Sequence, residues 1–141
     1  MMDNIFKTIV AVIGATVTFL LGGWSPLLQV LITFIIMDYA LAIMVAFTYG
    51  ELNSKKGFVG IAKKVTIIVL VAVAHKIDLI LGDGTFFRDA VAFFYIANEL
   101  ISILETASKT DLPIPSVLKR AVDKLNNKAG EDTDDTQTPS S

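Results

Sequence analysis

Two carboxylates lie inside apolar runs of this 141-residue sequence, where an ionised group is costly. Asp38 falls near the midpoint of the run 27–49, and Glu99 follows Asn98 about two-thirds of the way along the run 86–104. A charge at the centre of a lipid-embedded helix costs about 2.5–3.5 kcal/mol, so such a charge has to face protein or water. These acids are therefore the first candidates for ion contacts, for a hydrated pore or for contacts between copies.

Glu99 belongs to a polar stripe on its predicted helix. Side chains spaced three, four and seven residues apart share one helical face. The stripe comprises Arg88, Tyr95, Asn98, Glu99, Ser102 and Thr106. Such a face could line an aqueous opening or an oligomer interface. Alternatively, it makes a static contact within one monomer, in which Glu99 pairs with Lys63 or Lys64.

The sequence offers little for catalysis. It has no Cys and one His, and it lacks the His-x-x-x-His, Gly-x-Ser-x-Gly and Gly-x-x-x-x-Gly-Lys patterns. His75 and Asp78 lie one turn apart and could form a proton site. The adjacent Lys76 and the following Gly-Asp-Gly turn favour a solvated helix end instead. We therefore predict no enzyme activity, no cofactor, no metal and no nucleic-acid partner.

Four apolar runs must position these side chains. Apolar residues make up 53% of the chain and charged residues 18%, and the mean hydropathy is +0.62. A helix needs about 20 apolar residues to cross a bilayer core, and the second and third runs lack the polar face of a soluble bundle. We therefore predict an all-α integral membrane protein with three or four spanning helices in residues 1–106. The runs are 5–21, 27–49, 65–81 and 86–104, with a Gly- and Lys-rich loop at 50–64.

Basic residues are spread unevenly over the connections. If the second run ends in the cytoplasm and the first run also spans, ten of the 12 Lys and Arg residues lie inside, and only Lys76 and Arg88 lie outside. Because short cytoplasmic loops are rich in Lys and Arg, this predicts a cytoplasmic C-terminus and a cytoplasmic N-terminus if the first run spans. Whether it spans stays open. The residues expected at the inner loop or membrane surface are Lys55, Lys56, Gly57, Gly60, Lys63, Lys64, Lys119, Arg120 and Lys124.

The first run carries small residues at four-residue spacing. Small side chains let helix backbones approach closely in lipid, which favours helix association. The candidate packing residues are Ala11, Gly14, Ala15, Thr18 and Gly22.

Residues 107–141 are polar. Two prolines stiffen the segment 112–115 because each fixes its own φ and restricts the residue before it. A short basic amphipathic helix follows within 107–128 and could lie on an anionic inner leaflet or pack on the protein's own loops. Residues 129–141 are acidic and polar, so we predict a disordered tail.

Four blocks in this order resemble one bacteriophage holin family, the toxin-secretion and phage-lysis group. The blocks are "LLQVLITFIIMDYALAIMVAF", "GELNSKKGFVGIAKK", "FFYIANELISILE" and "LPIPSVLKRAVDKL", and they cover about residues 27–125. The chain departs from the family pattern where Leu41 and Ala42 replace a Thr-Gly pair and where Thr106 replaces an Asn. The other family positions match at Asp38, Tyr39, Ser54, Lys55, Gly57, Gly60, Phe94, Tyr95, Ile96, Asn98 and Glu99.

The resemblance implies a protein of the host bacterial cytoplasmic membrane that oligomerises and opens lesions. Through these, a phage endolysin reaches the cell wall, and an antiholin is a further implied partner. Family relatives beside toxin genes are credited with toxin export. Three other functions remain open: a small ion channel, a transporter subunit and an antiholin. For a holin, we expect the polar faces to be shielded at low density and to share a hydrated lumen above a critical density.

Overall fold

Helices make up nearly all of the described part of the chain, residues 1–134, in a computed structural model. The five helices of that part are α1 (Met2–Leu21), α2 (Pro26–Thr48), α3 (Ser54–Leu81), α4 (Phe86–Ser108) and α5 (Ser116–Asp134). Of these, α1 to α4 are long and apolar enough to cross a membrane. The predicted all-α membrane fold is confirmed.

The helices end where glycine and proline predicted breaks. Gly22 and Gly82 close α1 and α3 in the left-handed conformation, with φ of 75° and 69°. Pro26 is the first residue of α2, and the Ser25 hydroxyl accepts a hydrogen bond from the Leu28 N–H at 3.3 Å. Serine before the helix and proline at its first position both favour initiation there.

The predicted loop over residues 54–64 is wrong, because α3 begins at Ser54. The Asn53 side-chain oxygen accepts hydrogen bonds from the backbone N–H groups of Lys55 and Lys56 at 2.8 and 3.4 Å. This cap satisfies two of the N–H groups that a helix start leaves free. The glycines that suggested a loop serve interhelical packing instead, and Lys64 is thereby placed on a helix.

α4 is the central helix of the bundle and packs against α2, α3 and α5. α1 packs chiefly on α3 near its own C-terminal end, and most of its apolar side chains are exposed. Exposed apolar side chains also cover the outer sides of α2 and α3, which suits lipid contact. The buried apolar core consists of Leu21, Leu28, Leu31, Ile35, Ile67, Val71, Ala92 and Ile96.

α5 lies along α4 in the antiparallel direction, with its apolar side inward. Val122 faces Leu104 near one end of α4, and the buried Ala129 faces Val91 near the other. Of the two predicted positions for this helix, the structure has it packed on the protein, although on α4 rather than on loops. Its charged outer side would be costly in contact with lipid, so this side of the bundle needs water or a protein partner.

α5 also continues past residue 128, where we predicted the disordered tail to begin. It extends to Asp134. The buried Ala129 packs in an apolar groove between α3 and α4, which gives the helix a contact beyond that residue. Residues 135–141 of the predicted tail lie outside the described residues.

Candidate functional site

Lys64 joins the two intramembrane acids that the sequence singled out. Its Nζ donates hydrogen bonds to both Glu99 carboxylate oxygens at 2.8 Å each and to Asp38 Oδ2. The two carboxylate side chains are 4% exposed and the lysine side chain is 21% exposed. One ammonium therefore faces two carboxylates, which ties α2, α3 and α4 together and leaves the ionised network one negative charge in excess.

Tyr39 sets the register of α2 against α3. Its ring packs on the glycine face of α3, where a Cβ added at Gly60 would lie 3.4 Å from Tyr39 Cε2. The Tyr39 hydroxyl donates to the Gly57 carbonyl oxygen at 3.3 Å. Gly57, Gly60 and Lys64 follow one face of α3, and Asp38 precedes Tyr39 on α2. The close approach at the glycines therefore brings Lys64 next to Asp38.

A cavity of about 350 Å³ lies between α2 and α3 and reaches the ion network. Asp38, Tyr39, Lys64 and Ser102 line its inner end, and residues of the α2–α3 turn, including Glu51, line its mouth. Asp38 is 3% exposed, and its Oδ1 has no hydrogen-bond partner within residues 1–130. The cavity thus borders a buried carboxylate, one oxygen of which has no hydrogen-bond partner within residues 1–130.

The structure divides the predicted polar stripe of α4. Ser102 lines the cavity between α2 and α3, whereas Tyr95, Asn98 and Glu99 line a groove of about 480 Å³ between α3 and α4. Asn98 is exposed and Glu99 is buried. The stripe is therefore not a single exposed face. Within one copy, Glu99 makes the lysine contact that was the alternative interpretation.

The remaining candidates lie apart from this network. Lys119, Arg120 and Lys124 are exposed on α5, and Lys55 and Lys56 lie in the first turn of α3. Four of the small residues of α1, Ala11, Gly14, Ala15 and Thr18, are exposed, and an added Cβ at Gly14 would meet nothing within 4 Å. Gly22, by contrast, lies directly against the His75 ring.

Asp78 caps the start of α4, a role that the sequence analysis missed. Its two carboxylate oxygens accept the backbone N–H groups of Phe87 and Arg88 at 2.8 and 2.9 Å. A carboxylate at this position satisfies free N–H groups and favours the positive end of the helix dipole. The sequence feature that could have predicted this cap is an acid near the end of one helix, separated from the next helix only by the short Gly-Asp-Gly turn.

Arg88 stabilises the same end of the bundle by binding the C-terminus of α1. Its Nη1 donates to the carbonyl oxygens of Leu21 and Gly22 at 3.0 and 3.3 Å, and its Nε donates to Asp89 Oδ1 at 3.1 Å. The guanidinium thus binds the free carbonyls at the C-terminus of α1. Together, Asp78 and Arg88 connect α1, α3 and α4.

His75 packs beneath the glycine that ends α1. A Cβ at Gly22 would overlap the His75 ring, and the positive φ of Gly22 also disfavours other residues. His75 is 9% exposed and Asp78 is 1% exposed. The predicted solvated helix end is therefore wrong, because α1 and the start of α4 cover both side chains. His75 Nδ1 has no hydrogen-bond partner within residues 1–130.

Comparison with known protein families gives a match over most of the chain. A family model described as "Bacteriophage holin family" matches residues 15–127. The chain belongs to the bacteriophage holin family. The match extends from α1 into α5 and contains Asp38, Lys64, Asp78 and Glu99.

Relatives cover most of this holin-family chain. An uncharacterized protein of Listeria monocytogenes is 47% identical over 131 residues, which cover 93% of this chain and 94% of the relative. An uncharacterized protein of Clostridium perfringens is 40% identical over 131 residues, 90% of this chain and 99% of the relative. A probable holin of Bacillus phage phi105 is 31% identical over 98 residues, 70% of this chain and 73% of the relative. No solved structure matches the chain. Family membership and four apolar helices in residues 1–134 make it a multi-pass membrane protein.

Proposed function

We propose that this protein is a phage holin that oligomerises in the host cytoplasmic membrane and opens lesions through which an endolysin reaches the cell wall. The observation that carries the proposal is the buried network of Asp38, Lys64 and Glu99 across three membrane-length helices of a holin-family chain. A protein that only anchors itself in lipid has no need for three charged groups inside its membrane-length helices, where charges are costly. The likeness to a probable holin of a Bacillus phage supports the same function.

The network provides a physical mechanism by which closed monomers assemble into an open lesion. In one copy, Lys64 bonds to both acids, which lowers the cost of keeping them in a lipid-embedded bundle. When many copies gather, the same groups can be solvated by water shared between them, and the gain grows with each copy that borders the water. Opening is therefore cooperative. The charged outer side of α5 supports this route because it requires water or protein beside the bundle.

The distribution of basic residues supports an orientation with both termini in the cytoplasm. With four spanning helices, Lys7, Lys55, Lys56, Lys63 and Lys109 then lie toward the cytoplasmic end of the bundle, and Lys76 and Arg88 lie toward the other end. Lys64 lies in the buried network, and the other four basic residues are on α5, which runs beside α4. The chain has no native cysteine, so single cysteines can be introduced without background. We expect a membrane-impermeant thiol reagent added outside intact cells to label Asp83→Cys and to spare Glu51→Cys. Labelling of Glu51→Cys alone would reverse the orientation.

Expression in a bacterium, with and without an endolysin, tests the lesion. We expect a delay, then sudden loss of membrane potential, with cell lysis only when endolysin is present. Glu99→Leu leaves Lys64 paired with Asp38 alone, so the network becomes a neutral pair that no longer needs water. We expect this variant to lyse several-fold later than the wild type at equal membrane abundance, whereas Glu105→Leu, at an exposed position of the same helix, keeps the wild-type timing.

Other outcomes would replace the proposed function. A selective, saturable ion flux without passage of endolysin would identify a channel or transporter subunit. Absence of killing together with delayed lysis by a co-expressed holin would identify an antiholin. Unchanged timing and lesion size in Glu99→Leu would remove the ion network from the mechanism.

A further inference from the structure

The charge balance of the buried network is incomplete. Two carboxylates share one ammonium, and all three groups lie within membrane-length helices. Because both carboxylates bond to the same nitrogen, they lie close together and repel each other when both are ionised. A net negative charge at this depth is costly, and uptake of one positive charge would remove it.

The structure also provides a place and a route for that charge. Asp38 Oδ1 has no hydrogen-bond partner within residues 1–130, and the Asp38 side chain is only 4% exposed. The cavity between α2 and α3 that Asp38 lines is about 350 Å³ in volume, enough for several water molecules of about 30 Å³ each. Its mouth lies at the α2–α3 turn, beside Glu51 and Asn53.

We propose that the Asp38–Lys64–Glu99 network binds one proton per chain, exchanged through the cavity between α2 and α3. The proton belongs to the coupled carboxylate pair rather than to either acid alone. Asp38 Oδ1 is the carboxylate oxygen of the pair that has no hydrogen-bond partner within residues 1–130. The other titratable groups around the cavity are Tyr39 on α2, Glu51 in the turn, and Lys56 and Lys63 on α3; α4 contributes the neutral Ser102 besides Glu99.

A metal cation fits this site less well than a proton. The Lys64 ammonium already lies between the two carboxylates and would repel a second cation. Hard cations also take several oxygen ligands, and within residues 1–130 no three His, Cys, Asp or Glu side chains gather in a way that could hold a metal ion. A proton needs only the single unpaired oxygen.

The bound proton would change what the monomer requires of its surroundings. With the proton, the network is neutral and suits lipid; without it, one net negative charge needs water. This last step rests on the proposed lesion function. The proton site itself does not, since it can be measured on separate copies that form no lesion.

Infrared spectroscopy of the full chain in phosphatidylcholine nanodiscs tests the site. A protonated carboxyl group has a carbonyl stretch that an ionised carboxylate lacks. At neutral pH we expect the wild type to show this band with an intensity of one group per chain, lost as the pH rises. Asp38→Asn and Glu99→Gln each leave a neutral lysine–carboxylate pair, so each should lose the band, whereas the matched exposed substitution Glu105→Gln should keep it.

Several results would overturn the proton site. One is a wild-type spectrum without the band at neutral pH, which needs no variant and therefore does not depend on how variants fold. Another is a band that persists in both Asp38→Asn and Glu99→Gln. A third is a band that weakens when sodium chloride replaces choline chloride at constant pH, since that would indicate a sodium site.

The access route has its own test in the same spectra. Ala46 lines the cavity and Ala40 lies on an exposed part of α2 outside it. We expect Ala46→Trp to slow the deuterium exchange of the carboxyl band at least several-fold in D₂O, and Ala40→Trp to leave it unchanged. Equal exchange rates in the two variants would overturn the cavity as the proton route.

Discussion

Lys64→Met is expected to reduce the free energy of unfolding by about 3–5 kcal/mol, the cost of removing one partner from a buried ion pair. The substitution keeps the length of the side chain and removes the ammonium that bonds to Asp38 and Glu99. Because a whole domain is stable by only about 5–15 kcal/mol, we expect a large fall in membrane abundance and in thermal stability in detergent. Both carboxylates become neutral in acid, so the loss should shrink as the pH falls.

Two further variants make this experiment specific. Lys63→Met removes the neighbouring exposed lysine, which has no ion pair in residues 1–130, and should behave as the wild type. Adding Asp38→Asn and Glu99→Gln to Lys64→Met makes the whole network neutral and should recover most of the lost stability. If Lys64→Met and Lys63→Met unfold at the same temperature, the network contributes nothing to the fold.

Asp78→Ala is expected to reduce the free energy of unfolding by about 2–6 kcal/mol, because two backbone N–H groups lose their acceptor at about 1–3 kcal/mol each. These donors belong to Phe87 and Arg88, at the start of α4. Asp78→Asn keeps one acceptor oxygen but loses the negative charge, so its effect should be intermediate.

Hydrogen exchange separates this local effect from general unfolding. We expect the amides of Phe87 and Arg88 to exchange faster in Asp78→Ala, while amides in the middle of α4 keep their protection. Glu105→Ala, which removes an exposed carboxylate near the other end of α4, is the control and should change neither rate. Unaltered exchange at Phe87 and Arg88 in Asp78→Ala would show that other groups hold the start of α4.

The membrane-spanning helices were predictable because hydropathy and turn chemistry are local properties. Four apolar runs separated by Gly-Gly-Trp-Ser-Pro, a glycine-rich segment and Gly-Asp-Gly gave the right number and order of long helices. The start of α3 was not predictable in the same way. Glycine normally weakens a helix, so the local sequence predicted a loop. The contact that favours glycine at positions 57 and 60 is made by Tyr39, which belongs to a different helix.

Asp38 and Glu99 were recognisable because a charge inside an apolar run is costly wherever the chain folds. Their partner was left open between Lys63 and Lys64, which are adjacent and therefore point in different directions on a helix. The choice of Lys64 depends on the rotation of α3, and only the contact of its glycines with Tyr39 fixes that rotation.

The sequence by itself determined that this is a helical membrane protein with two acids that cannot face lipid. Segment length, hydropathy and charge are local properties that can be read from the residues alone. Only the tertiary structure decided that Lys64 lies between those acids, that Asp78 and Arg88 join three helices at the opposite end, and that α5 packs on α4. Those contacts join residues distant in the chain, and their geometry depends on how whole helices rotate and pack.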